Sequence, residues 1–253
     1  MARTATYKAL VLRCRASGEA NREVYLLTAE EGIIRATVFG GPKSKLRAHS
    51  APYNSGQIWI YRDPAKDYAK ISDFDVHSWR PGLRELYERT MAAGAIAETI
   101  LATHGGGGAG DRALRIAAAA LDALETAKEE LCSHILVHFM WRWTELLGIQ
   151  PSLDYCGACG NTIGGILWFS AREGSALCGS CAGPHDLHSI KGERERSLKL
   201  NPGCRRWLSV VGEIDPSQVH RYSMDSKSFS EAKALASSVL TGALGKKLGS
   251  WDW

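Results

Sequence analysis

At 253 residues, 45% of them hydrophobic, the chain is long enough to bury a substantial core, as one large domain or as two or three small ones. No apolar run approaches the ~18 residues that span a bilayer, and the opening MARTATYKAL lacks the apolar stretch and cleavage site of a secretory signal, so a cytosolic protein is expected. The net charge of +4 is unevenly spread, with nine Lys/Arg against four Asp/Glu in residues 1–55 and 22 against 23 in the rest; a segregated excess of this kind suits a polyanion, and equally a solvated face.

The first eighty residues read as five short strands. YKALVLRCR alternates its side chains, EVYLLTA and IIRATVFG flank an EEG turn, and QIWIYRD and KISDFDVHSW follow a longer connection. That connection, GGPKSKLRAHSAPYNSG, is a Gly/Pro/Ser-rich loop carrying Lys43, Lys45 and Arg47. Five antiparallel strands of this size close most simply as a small barrel, and the OB-fold is the commonest barrel of that strand count.

After Pro81 the pattern turns helical. GLRELYERTMAAGAIAETILATH is followed by the glycine run 105–108, read as a flexible inter-helix loop because no strand leads into it and no Lys-Ser/Thr follows it. DRALRIAAAALDALETA then sets Leu114, Ala117, Leu121 and Leu124 on one stripe, with Asp111 as its N-cap. EELCSHILVHFMWRWTELLGI places Leu136, Phe139, Met140, Trp143 and Leu147 on one face, a stripe whose usual destination is core. NPGCRRWLSVVGEI and SFSEAKALASSVLTGALGKKLG read as further helices, the last opening with Ser228 and Glu231 at capping-box spacing.

Of seven cysteines, Cys14, Cys132 and Cys204 stand singly, whereas Cys156, Cys159, Cys178 and Cys181 form CxxC, an eighteen-residue spacer and CxxC. In a reducing compartment such pairs hold metal more often than they form disulfides. Two CxxC turns complete a tetrahedron of thiolates around zinc, one ion per chain, and four sulfur ligands leave no open position, so the metal is expected to be structural. His185 and His188, just downstream, are then surface residues. No HExxH, GxSxG, Walker or Rossmann signature is present in the sequence.

The stretches KALVLRCRASGEANREVYLLTAEEGIIRATVFGGPKSK, ELLGIQPSLDYCGACG and FSAREGSALCGSC, in this order of parts, resemble the bacterial RecO family of recombination mediators over nearly the full length. The resemblance implies an α+β multidomain protein: an N-terminal five-stranded OB-fold β-barrel in residues 1–80, an α-helical domain in 81–153 and 186–253, and an inserted four-cysteine zinc element in 154–185. It implies a non-enzymatic DNA-binding mediator that binds single- and double-stranded DNA, promotes strand annealing and, with RecR, helps load RecA at gaps. The C-terminal tail of the single-stranded-DNA-binding protein is a further implied partner, with the helical domain as its dock, and the implied setting is cytoplasmic and nucleoid-associated. The chain departs from the family pattern in its glycine-rich insert near 105–110 and in its ending, KKLGSWDW.

The phosphate-binding surface is expected from Arg13, Arg15, Arg22, Arg35, Lys43, Lys45 and Arg47, because backbone neutralisation dominates affinity for nucleic acid. Tyr25, Phe39 and Tyr53 are candidate base-stacking residues, with core packing the competing role. Two other classes fit parts of the pattern: an RNA-binding OB and zinc protein, and a metal-dependent hydrolase, against which the lack of catalytic ligands argues.

Overall fold

The alternation in YKALVLRCR becomes the long strand β1 (Arg3–Ser17), and the other four predicted strands become β2 (Asn21–Thr28), β3 (Gly32–Val38), β4 (Ser55–Asp63) and β5 (Tyr68–Ser78). The computed structural model describes residues 3–41, 44–63, 65, 68–182 and 197–251. The strands close a barrel in the order β1-β2-β3-β5-β4, the expected OB-fold. One ladder departs from the antiparallel expectation: β3 meets β5 in parallel, through Thr37 and Lys70. Inside lie Ala9, Val11, Val24, Leu26, Ile58 and Phe74.

The alternation of β1 is broken once. Its register with β2 shifts between Val11 and Arg13, a bulge that lets one strand gain a residue on its partner and reverses which pleat faces inward. Without it, Arg13 and Arg15 would share the inward side of Val11. With it, Cys14 packs on the barrel core and the two arginines turn outward.

Part of the predicted loop after β3 is a single helical turn, α1 (Lys45–His49). Leu46 packs against the barrel core, and Nδ1 of His49 lies 2.8 Å from the Phe74 carbonyl oxygen of β5. A 3-10 turn (Pro81–Arg84) leads into α2 (Tyr87–Ala102) and α3 (Gly110–Thr126), which pack on β1 and β2. This covers Leu10 and Leu27, both fully buried. The glycine run is not a free linker. Gly105 and Gly106 are buried, and a Cβ on Gly105 would meet Ile33 at 3.1 Å and Leu27 at 3.3 Å. α3 starts at Gly110, preceded by Ala109 as N-cap, so Asp111 sits in the first turn instead, paired with Arg115.

The chain folds as two compact units, Met1–Cys132 and Ser133–Asp252. The change from strand to helix at Pro81 falls inside the first. Helix α4 (Glu129–Leu146) carries the predicted apolar stripe into the second: Leu136, Phe139, Met140 and Trp143 are buried, as is Trp141, and the Phe139 and Trp143 rings stack with centroids 5.2 Å apart. A three-stranded sheet follows, in the order β7 (Ser175–Leu177), β6 (Leu167–Ser170), β8 (Leu198–Leu200). Then come α5 (Pro202–Val211), a 3-10 turn (Pro216–Arg221) and α6 (Ser226–Leu244).

Asn201 caps α5 by accepting the Cys204 N–H at 2.9 Å. The cap of α6 is Asp225, which accepts the Ser228 N–H at 2.9 Å. The predicted capping residue Ser228 is therefore already inside the helix. Glu231 reaches instead to the Asn201 N–H at 2.7 Å, a contact between segments thirty residues apart. Among the described residues no helix is long and apolar enough to cross a membrane.

Candidate nucleic-acid interface and metal centre

Antiparallel pairing places directly opposite residues on one face of a sheet. Arg13 of β1 faces Tyr25 of β2, which faces Arg35 of β3; one step along, Arg15 faces Glu23, which faces Thr37. Because Val24 and Ala36 point into the core, this set points out. Arg13, Arg15, Arg35 and Tyr25 thus share one outer face. The Arg15 guanidinium carbon stands 5.7 Å from the centroid of the Tyr25 ring. Among the described residues, Arg13 and Arg15 pair with no carboxylate. Elsewhere on the barrel, β5 turns Asp73 and Asp75 outward, which repels phosphate.

Among the described residues, the other predicted cations lie off that face. Arg22 lies on the opposite pleat from Tyr25, in register with Val38. Lys45 and Arg47 are carried by α1, and Lys43 lies outside the described residues. Of the aromatic candidates, Phe39 is exposed just past β3, its ring 6.1 Å from that of Tyr68. Tyr53 is half-buried, and burial pushes its phenol pKa up.

The four clustered cysteines come together as their spacing predicts. Their Sγ atoms all lie within 4.8 Å of one another, and Cys159 and Cys178 are 3.9 Å apart. That is far beyond a disulfide of about 2.05 Å, and it matches the edge of roughly 3.8 Å of a tetrahedron with metal–sulfur bonds of about 2.3 Å. Each CxxC closes a tight turn: Gly160 N–H donates to the Cys156 carbonyl at 2.8 Å, and Ala182 N–H to that of Cys178 at 2.9 Å. The Cys178 N–H also points at Cys156 Sγ, at 3.3 Å. Backbone N–H groups of Cys178 and Cys159 hold the Cys156 thiol down to about 6, whereas hydrogen bonds with Cys159, Cys178 and Cys156 push Cys181 up to about 12. Crowded sulfurs can share little negative charge without a cation, so the donor set fits a metal ion.

Around the cluster, Leu167 and Phe169 of β6, Ile163 and Ala176 are buried. Arg205 of α5 ties the element down by donating to Asp154 Oδ1 at 2.6 Å and to the Ile163 carbonyl oxygen. His185 and His188 lie outside the described residues. Two further residues carry weight that spacing does not reveal. Arg80, with a side chain only 1% exposed, bridges three segments of the first unit. Glu23 stands among the outer arginines. Only a predicted strand register could have pointed to Glu23, and nothing local to Arg80 marks its distant partners.

The family model described as Recombination protein O N terminal matches residues 1–79, and that described as Recombination protein O C terminal matches residues 84–252. Proteins named DNA repair protein RecO are similar to the chain. The one from Anaeromyxobacter dehalogenans is 31% identical over 199 residues, 77% of this chain and 78% of the relative. That from Pelotomaculum thermopropionicum is 29% identical over 175 residues, 68% of this chain and 66% of the relative. That from Rubrobacter xylanophilus is 29% identical over 177 residues, 69% and 70%.

Proposed function

The chain belongs to the RecO family of DNA repair and recombination proteins, and from that premise we propose that it is a DNA-binding mediator without a catalytic centre. It holds single- and double-stranded DNA on the outer β1–β2–β3 face, promotes annealing of complementary strands, and with RecR helps load RecA at gaps, in the cytoplasm at the nucleoid. The observation that carries this reading is the grouping of Arg13, Arg15, Arg35 and Tyr25 on one face. Three guanidinium groups neutralise backbone phosphates and release counterions, and an aromatic ring offers a platform to an unpaired base. Annealing then needs no reacting group. A surface holding two backbones at once screens their repulsion and raises the local concentration of complementary bases, and base pairing supplies the free energy.

The cysteine cluster is the seat of one structural zinc ion, held by Cys156, Cys159, Cys178 and Cys181. Bound zinc supplies four strong bonds to a segment too short to form a core of its own. The functional modules follow the sequence divisions 1–80, 81–153 with 186–253, and 154–185. The acidic tail of the single-stranded-DNA-binding protein docks on the helical module. The stretch Phe139–Trp143 does not present its rings for that purpose, since Phe139, Trp141 and Trp143 are buried and Arg142 donates to the Gly212 carbonyl.

The test is a titration of labelled single-stranded DNA at several salt concentrations. Replacing Arg13, Arg15 and Arg35 together with Ala lowers the slope of log K against log salt by about two, at roughly 0.7 per phosphate contact for single strands. The Lys45→Ala/Arg47→Ala pair has the smaller effect. Unchanged binding by the triple variant, or a preference for RNA of equal length, refutes the proposal.

A further inference from the structure

One carboxylate stands inside the basic face. Glu23 of β2 stands in register with Arg15 of β1 and with Thr37 of β3. Its Oε1 lies 3.5 Å from Nε of Arg35, and its Oε2 accepts the Tyr25 hydroxyl at 2.8 Å. Since Arg15 also stands over the Tyr25 ring, Arg15, Tyr25, Glu23 and Arg35 form one connected group. Their exposure differs: the Arg35 side chain is 64% exposed and that of Glu23 28%. The cation is therefore presented to solvent with its counter-charge seated lower, beside the sheet.

We infer that Glu23 is an internal counter-anion that competes with DNA phosphate for Arg35 and so sets both the affinity of this face and its response to salt. The inference rests on the proposed DNA-binding role of the β1–β2–β3 face. A phosphate that reaches Arg35 meets a guanidinium already partly neutralised. That contact displaces fewer counterions from the DNA, and the carboxylate repels the incoming anion. Arg13, with no carboxylate partner among the described residues, has no such competitor. The face is thereby held to weak binding, which suits a surface that must release strands after they pair.

The test uses the full chain and the variant Glu23→Gln, whose amide oxygen still accepts the Tyr25 hydroxyl while the charge is removed. Freeing the suppressed part of the Arg35 phosphate contact steepens the salt slope by up to about 0.7, which at 0.1 M salt tightens single-stranded DNA binding by up to roughly fivefold. Arg35→Ala then costs more affinity in the Glu23→Gln background than in the unaltered protein, whereas Arg13→Ala costs the same in both. If Glu23→Gln binds with unchanged or weaker affinity, or Arg35→Ala costs the same in both backgrounds, the competition does not exist even though the face binds DNA. If the Arg13, Arg15 and Arg35 triple variant binds as the unaltered protein does, the proposed DNA face itself falls and this inference with it.

Discussion

Replacing Arg80 with Ala removes a bridge between the barrel and the helices packed on it. The guanidinium donates to the Tyr53 carbonyl at 2.6 Å, to Ser55 Oγ at 2.9 Å and to Asp122 Oδ1 at 2.7 Å. The arginine side chain is 1% exposed while that of Asp122 is 55% exposed, so after the change Asp122 is rehydrated at little cost. The Tyr53 carbonyl and the Ser55 hydroxyl lose a buried donor. At about 1–2 kcal/mol for each of these, and about 1 kcal/mol for the half-exposed ion pair, the loss is about 3–5 kcal/mol. For a chain of this length each kcal/mol moves the melting temperature by about 2–4 °C, which gives a fall of about 6–20 °C. Circular dichroism during a thermal ramp reads it directly. Arg80→Lys keeps the charge but not the fork, and falls between the two. A drop under about 2 °C for Arg80→Ala would show that the bridge is not an anchor and would refute the reasoning.

Gly110→Ala should destabilise the first unit by about 1–3 kcal/mol, since the new Cβ would sit 2.3 Å from the Ala29 carbonyl oxygen; urea unfolding that matches the unaltered protein would count against it. Metal analysis should return one zinc per chain, and both chelation and Cys156→Ser should lower the melting temperature; a metal-free protein with unchanged melting in the variant contradicts a structural zinc. Asn201→Ala removes the cap of α5 and should cost about 1 kcal/mol, seen as a lower urea midpoint. Burial raises the carboxyl pKa of Glu31, but the hydrogen bonds it accepts from Tyr7 and Arg62, both 2.6 Å, outweigh burial and hold it below its ordinary value. A carboxyl held down in the folded state contributes stability above its unfolded pKa of about 4.3 and loses it as the pH falls through the lower folded value. The gap in urea midpoint between the unaltered protein and Glu31→Gln should therefore be full at pH 6 and narrow progressively as the pH falls below about 4.3.

The features legible in the sequence are those that repeat over a few residues. Period-two patterns marked all five barrel strands, period-3.6 stripes marked α4 and its buried Phe139, Met140 and Trp143, and the CxxC spacing brought four sulfurs together, because a strand, a helix turn and a tight thiolate turn are each set by local backbone geometry. What lay beyond the sequence depends on partners far along the chain. The bulge after Val11 sends Arg13 and Arg15 outward, while strict alternation would have pointed them inward, and Arg22, equally basic, falls on the other pleat. The glycine-rich segment 105–110 reads as a spacer, yet Gly105 is packed against β2 and β3 and Gly110 against the turn between them, which only the placement of α2 and α3 on the barrel decides. Glu23 is an ordinary strand acid until the register sets it beside Arg35. Residue type and spacing fix which groups exist and which way a short segment repeats; which charges meet is decided when non-local strands choose a register, since a shift of one residue turns every side chain to the opposite face.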